Sequence, residues 1–398
     1  MIDKIKKEEC TGCKMCADIC PKNSITFECA KDGFWYPKVN YKTCINCGLC
    51  LKKCPSIHYT APSEYEEPEV YAVWSKDKDV RISSTSGGGF WEFASFFIEQ
   101  GGCVAGCVFD SDWKSARHII GYDMDDLEKL KGSKYFQSDT EGIYLKVKKE
   151  LDNQRMVLFC GTPCQNAALH SFLGKSYENL YFMDFICRSI NSPLAFKKYI
   201  SELEEMNGAK AKKVQLKNKK YGWNSLATRI CFENGKECVE VKENNYWVKG
   251  FISNDLYTRE SCYQCQYRKI PRITADITIG DFWGITGQSS ENMFCGISAL
   301  MLNSKRAKAL FSKVKDRFVY QPRKIAEVLS GNPALRNNPV RTKKQDKFFE
   351  LIQSHSFTYF VKQCLKEDIL SKSFRNLKRI CRRLKHICNF VLNNNIIV

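Results

Sequence analysis

The stretch CTGCKMCADICP, Cys10 to Pro21, returns as CINCGLCLKKCP, Cys44 to Pro55, and both read C-x-x-C-x-x-C-x-x-x-C-P. Three thiolates so closely spaced can take three corners of one iron-sulfide cube, whereas the fourth cysteine of each run cannot turn back onto that cube and reaches the other one. The expected ligand sets are therefore Cys10, Cys13, Cys16 and Cys54 for one 4Fe-4S cluster, and Cys44, Cys47, Cys50 and Cys20 for a second. The proline after each run closes it against further helix.

Eight cysteines in two copies of one pattern carry the two-cluster ferredoxin signature over residues 1–60. Soft iron selects thiolate ligands, and zinc knuckles, the other reading of such cysteines, rarely use this interleaved spacing. Cys29 fits neither run, and in ITFECAKDGFWY it is expected to be a packed small residue of a hairpin.

The chain has 398 residues, 43% hydrophobic and 27% charged, ample for two or three folded units. Its charged start, MIDKIKKEEC, lacks the apolar stretch of a secretory signal, and no run approaches the ~18 apolar residues of a membrane span. The expectation is a cytoplasmic, soluble or membrane-peripheral protein, whose 22 cysteines serve as ligands, catalysts or core rather than as disulfides. Net charge is +18, but residues 301–398 alone hold 22 Lys and Arg against 6 Asp and Glu. The rest is nearly balanced, so no nucleic-acid partner is expected.

Pro62 and Pro68 among acidic residues mark 61–70 as a linker. The fold class expected is α+β: the ferredoxin unit, then an α/β body with a mixed sheet in two regions, 71–150 and 151–330, then a basic helical tail, 331–398. In the body, the loop Ser83 to Gly89 feeds a helix that Gly101 and Gly102 end, and its small residues suit either a phosphate or an ordinary cap. Neither G-x-G-x-x-G nor G-x-x-x-x-G-K-[ST] occurs, so a nucleotide would be held without a Rossmann or Walker loop. A helix from about Glu141 to Asp152 precedes the strand RMVLFC. The loop Gly161-Thr162-Pro163-Cys164 then enters a second helix, where the dipole favours anions. A further strand ends at Cys187, Ser192-Pro193 starts a helix, and Asn234-Gly235 turns a hairpin.

Cys103, Cys107, Cys160, Cys231 and Cys238 lie within apolar strands, whereas Cys164, Cys187, Cys262 and Cys265 lie in loops or at the ends of elements. The latter address suits ligands. Four thiolates would complete a third 4Fe-4S site, although a C-x-x-C such as Cys262 and Cys265 also suits zinc or plain packing.

STSGGG (84–89), KGSKYFQS (131–138), LFCGTPCQ (158–165), SCYQCQY (261–267) and ITADITIGDFWG (273–284) together resemble the coenzyme F-420 hydrogenase/dehydrogenase beta-subunit family. The resemblance covers roughly residues 1–320, here joined to a dicluster ferredoxin. It implies an iron-sulfur flavoprotein. FAD would contact Ser84, Thr85, Ser86, Gly87, Gly88, Lys131, Gly132, Ser133, Tyr135, Gly161 and Thr162, and a third cluster would sit beside it on Cys164, Cys187, Cys262 and Cys265. The chain departs from the family at Cys187-Arg188-Ser189, where Cys-His-Gly is common, a difference on the acceptor side of the site.

A cluster passes electrons singly and a flavin can deliver a pair, so the expected function is an oxidoreductase joining a ferredoxin-type donor or acceptor to a two-electron substrate. Lys134 and Asp281 are candidates for orienting or protonating that substrate, and structural hydrogen bonding is the alternative for both. The rival functions are a non-catalytic electron-transfer subunit and a thiol oxidoreductase using Cys262 and Cys265 as a dithiol. In the tail, Leu370, Phe374, Leu377, Cys381, Leu384, Cys388 and Val391 form one helical stripe. Lys372, Arg375, Lys378, Arg379, Arg382, Arg383 and Lys385 surround it, a pattern that suits packing on the body, an anionic membrane surface or an acidic redox partner.

Overall fold

The computed structural model describes residues 1–242, 244–252 and 254–366, so the stripe from Leu370 to Val391 lies outside the described residues. In chain order the strands are β1 Ile25–Cys29, β2 Trp35–Val39, β3 Tyr65–Ser75, β4 Cys103–Phe109, β5 Ala116–Gly121, β6 Val157–Gly161 and β7 Leu180–Phe185. They continue with β8 Ala211–Asn218, β9 Ala227–Phe232, β10 Glu237–Glu240, β11 Ile277–Asp281, β12 Ser298–Ser304 and β13 Phe318–Arg323. Eight of them build one mixed sheet in the order β13-β3-β12-β11-β7-β6-β4-β5. Its centre, β11-β7-β6-β4, is parallel, and the flanking strands are antiparallel.

Period-two alternation sorts each strand's side chains between two helical layers. Val104 and Val108 of β4 join Phe93 and Phe97 of the helix Gly89–Glu99 on one face. Cys103 and Ala105 join Tyr144 and Val147 of the helix Ile143–Asp152 and Leu169 of the helix Pro163–Leu173 on the other. In β6, Leu158 goes to the first face and Val157 and Phe159 to the second, which is why this strand reads as an unbroken apolar run. The architecture is α+β with a mixed sheet.

A second, antiparallel sheet, β10-β9-β8, turns at Gly235, whose φ of +81° an Asn-Gly turn supplies without strain. It packs with the helices Pro193–Asn207, Tyr246–Ile252, Lys343–Leu351 and Phe357–Leu365 around Phe196 and Trp247.

Several expected boundaries differ. The linker 61–70 is partly strand: β3 starts at Tyr65 because Glu69 and Val70 pair with Leu302 and Met301 of β12. The regions 71–150 and 151–330 interleave in one sheet, since β3 lies between β12 and β13. The start of the segment read as a tail is body, because Phe348, Phe357, Phe360 and Val361 are buried in the core around Trp247. Cys29 ends β1 of the expected hairpin but is exposed, not packed. Among the described residues no helix is long and apolar enough to cross a membrane.

Candidate functional site

The N-terminal unit sets a β1-β2 hairpin beside two one-turn helices, Met15–Asp18 and Leu49–Lys52, each inside one cysteine run. Cys10, Cys13, Cys16 and Cys54 ring one small void, and Cys20, Cys44, Cys47 and Cys50 ring another. These are the two interleaved sets of four. Burial pushes the Cys13 thiol up to about 12 and raises Cys16, Cys50 and Cys54 as well. Such thiols release their protons when a cation replaces them. Among the described residues no three His, Cys, Asp or Glu side chains converge on a point that would hold a single metal ion.

The body grips the first of these voids. Thr140 Oγ1 and Tyr144 OH both donate to the Cys13 carbonyl at 2.8 Å, Gln137 Nε2 donates to the Gly12 carbonyl at 3.0 Å, and Tyr267 OH donates to the Pro55 carbonyl at 3.0 Å. Lys14, itself buried, pairs with Asp139 at 2.8 Å and Glu141 at 3.0 Å.

Directly behind Tyr267 lies a cavity of about 210 Å³ lined by Cys164, Cys187, Cys262 and Cys265. Cys164 opens the helix Pro163–Leu173, whose N-cap Thr162 and third residue Gln165 form a reciprocal capping box. Cys187 follows β7. Cys262 lies in the short 3-10 turn Glu260–Gln264, and Cys265 ends it. Two backbone contacts set Cys262: its N–H donates to the Arg259 carbonyl at 3.0 Å, and the Ile190 N–H points at its Sγ at 3.3 Å. Burial drives the Cys164 thiol up to about 12 and Cys262 to about 11, and raises Cys187 strongly; the neighbouring Cys265 adds to the rise in all three. Four cysteines lining one void fit a thiolate-ligated cluster.

Cys187, Ser189 and Ile190 also line a second cavity of about 560 Å³, so the two voids share a wall. The larger one opens at the carboxyl ends of β4, β6, β7 and β11, through Cys107, Gly161, Phe185 and Asp281. In open parallel sheets this is where ligands bind, and the volume is that of a small-molecule site. Ser84, Thr85, Ser86, Gly88, Lys131, Gly132, Ser133, Tyr135, Gly161 and Thr162 all line it. Gly87 does not: its N–H donates to Ser298 Oγ at 2.8 Å, and a Cβ there would fall 2.3 Å from the Val73 carbonyl oxygen. The two loop segments meet where Ser133 N–H donates to Thr85 Oγ1 at 3.2 Å.

Lys134 and Asp281 line the same cavity but are already engaged. Lys134 Nζ donates to the carbonyls of Lys129, Leu130 and Lys131 at 3.0–3.1 Å, capping the helix Met124–Leu130, and burial lowers its pKa to about 8. Asp281 Oδ1 accepts from buried Lys217 at 2.5 Å and from Trp223 Nε1 at 2.7 Å. Structural hydrogen bonding is what both side chains do here. Sequence reasoning missed Lys217, His118 and Lys219. His118 lines the cavity beside Ser138, at 3.1 Å, and burial lowers its pKa to about 4. Lys219 Nζ donates to the Arg81 carbonyl at 2.6 Å and to that of Ser86 in the cavity loop, and burial lowers its pKa to about 7. In the run KNKKYGW nothing local separates these inward lysines, Lys217 in β8 and Lys219 just after it, from the exposed Lys220.

Residues 154–327 match the family model for the C terminus of the coenzyme F420 hydrogenase/dehydrogenase beta subunit, and residues 9–57 match that of the 4Fe-4S dicluster domain. Residues 154–327 thus carry the C-terminal domain of the coenzyme F420 hydrogenase/dehydrogenase beta-subunit family. The dicluster domain is similar to a ferredoxin-type protein NapF of Haemophilus influenzae (42% identity over 43 residues, 11% of this chain and 24% of that protein). It is also similar to NADH-quinone oxidoreductase subunit I of Pelobacter propionicus (37% over 57 residues, 12% and 31%) and to an uncharacterized ferredoxin of Methanocaldococcus jannaschii (33% over 52 residues, 13% and 66%). The chain therefore spans about a quarter to two thirds of these relatives. Among solved structures, a chain of the F420-reducing [NiFe] hydrogenase complex from Methanosarcina barkeri aligns over 76% of this chain and 93% of its own, with 16% identity and a TM-score of 0.46. The beta-subunit family segment and the dicluster domain together make this an iron-sulfur electron-transfer protein.

Proposed function

We propose that the protein is an iron-sulfur flavoprotein oxidoreductase that passes electrons between a ferredoxin-type donor or acceptor and a two-electron substrate. The reading rests on one observation: the voids are contiguous in the order in which electrons would travel. The set Cys10, Cys13, Cys16 and Cys54 is held against the body, the void of Cys164, Cys187, Cys262 and Cys265 lies next, and Cys187, Ser189 and Ile190 are common to that void and the large cavity.

In this reading the twelve cysteines hold three 4Fe-4S clusters, which supply one-electron transfer, and the large cavity holds FAD, which supplies exchange between one and two electrons. The chain's own residues do the rest. Thr162 and Gln165 fix the helix start that presents Cys164, and the Arg259 carbonyl and Ile190 N–H fix Cys262. The loop from Ser84 to Gly88 and the segment from Lys131 to Tyr135 form one wall of the large cavity, held by the Thr85–Ser133 contact. Lys134 and Asp281 shape that wall as helix cap and ion-pair partner.

The test is metal, sulfide and flavin analysis of the protein purified and reconstituted without oxygen. The reading expects about twelve iron and twelve sulfide per chain, for three cubes, and about one FAD released on denaturation. Changing Cys262 and Cys265 together to Ser should remove about a third of the iron. Full iron with no bound or bindable flavin would instead favour an electron-transfer subunit without a reaction of its own.

A further inference from the structure

Arg259 is wholly buried, and its guanidinium lies between the two cysteine sets that face each other across the domain boundary. Its Nε donates to the Cys10 carbonyl at 2.7 Å, one terminal nitrogen to Gln137 Oε1 at 2.9 Å, and the other to the Trp35 carbonyl at 3.0 Å and to Cys10 Sγ at 3.6 Å. The group also stands over the rings of Phe34 and Tyr36, 5.1 and 4.6 Å from their centroids. On its other side it lines the void of Cys164, Cys187, Cys262 and Cys265, three residues before Cys262. Among the described residues no carboxylate oxygen comes within 4.0 Å of it.

A guanidinium taken wholly out of water without an anion is strongly unfavourable, so a buried arginine is normally paired. The partners that Arg259 finds here are carbonyls, an amide oxygen, aromatic faces and one cysteine sulfur. The missing negative charge lies where thiolates converge on either side of it. We propose that Arg259 is the shared counter-ion of the inner N-terminal centre and the body centre, raising the reduction potential of both relative to the outer centre at Cys20, Cys44, Cys47 and Cys50. The proposal rests on the three-cluster reading and adds to it a residue that sets the energy step between centres. Reduction adds negative charge to a cluster, and a fixed positive charge plus an N–H directed at a ligand sulfur stabilises that reduced state.

The experiment is an EPR-monitored redox titration of the full-length reconstituted protein, wild type, Arg259→Gln and Arg259→Lys, with iron and sulfide measured on each sample. In Arg259→Gln two of the three midpoints should fall and the outer one should stay. At a fixed solution potential the reduced-to-oxidised ratio of the two affected centres should drop about tenfold, which is ~59 mV for one electron. Arg259→Lys keeps the charge but loses the fork, so its two midpoints should fall by less. Unchanged midpoints in Arg259→Gln at full iron content overturn the proposal. If the Gln variant loses iron, the Lys variant decides: an unaltered pair of midpoints there overturns it. A wild-type protein that binds no iron would overturn the three-cluster reading and the proposal with it.

Discussion

At the residue scale, Gly12 is a tight point of the seam between the N-terminal unit and the body. Its φ is +67°, and a Cβ there would lie 2.4 Å from Gln137 Nε2 and 2.8 Å from Arg259. Gly12→Ala must therefore strain the backbone and push the CTGC loop off the body, a combination that costs on the order of 1–3 kcal/mol. We expect a lower unfolding midpoint and faster proteolysis between the two units; an unaltered midpoint would show that the loop has slack. Buried histidines give a pH dependence. His118 is held down to about 4 and His170 to about 3, both mainly by burial. The unfolded chain takes up protons below about pH 6.5 while the folded one does not, so stability should fall as pH drops from 6.5 towards 4, by about 1.4 kcal/mol per pH unit for each histidine. Denaturant midpoints from pH 7.5 to 5 measure this, and His118→Gln should flatten the decline. The N-terminal dicluster domain was legible because ligand spacing is a local property of sequence. The engagement of Lys134 and Asp281 was not, because their partners, the end of one helix and a lysine 64 residues away, are fixed only by the fold.

At the element scale, the loop between β3 and the helix Gly89–Glu99 carries the large cavity's wall. Its glycines were readable as a loop feeding a helix, but their division of labour was not: Gly88 lines the cavity in a left-handed conformation, whereas Gly87 packs the loop onto Val73 of β3 and Ser298 of β12. Gly87→Ala should lift the loop and weaken FAD retention at least tenfold, ~1.4 kcal/mol, while leaving iron content at the wild-type level. Flavin titration with parallel iron analysis checks this, and loss of both together would mean general misfolding. The linker reading failed at β3 for a related reason. Pro68 sits where the pairing of β3 with β12 shifts register, between Glu69 and Tyr65, and beyond the pairing with β13, which stops at Val70, a position at which a sheet admits proline; the partners of β3 lie more than two hundred positions downstream.

At the scale of the whole molecule, the order of the voids is the functional argument, and the fourfold set in the body is its hinge. Cys164, Cys187, Cys262 and Cys265 come from three separate elements that the mixed sheet brings to one end, so spacing alone could suggest but not assemble them. In the proposed reading, electrons reach the large cavity through this set. The most direct measurement is rapid-mixing reduction of FAD-loaded protein by a reduced ferredoxin, a donor too large to enter the cavity, in wild type and in the Cys262→Ser, Cys265→Ser double variant with its flavin confirmed bound. The N-terminal centres of the variant should be reduced at the wild-type rate while its flavin is reduced at least a hundredfold more slowly. Flavin reduction at an unchanged rate in the variant would contradict that reading.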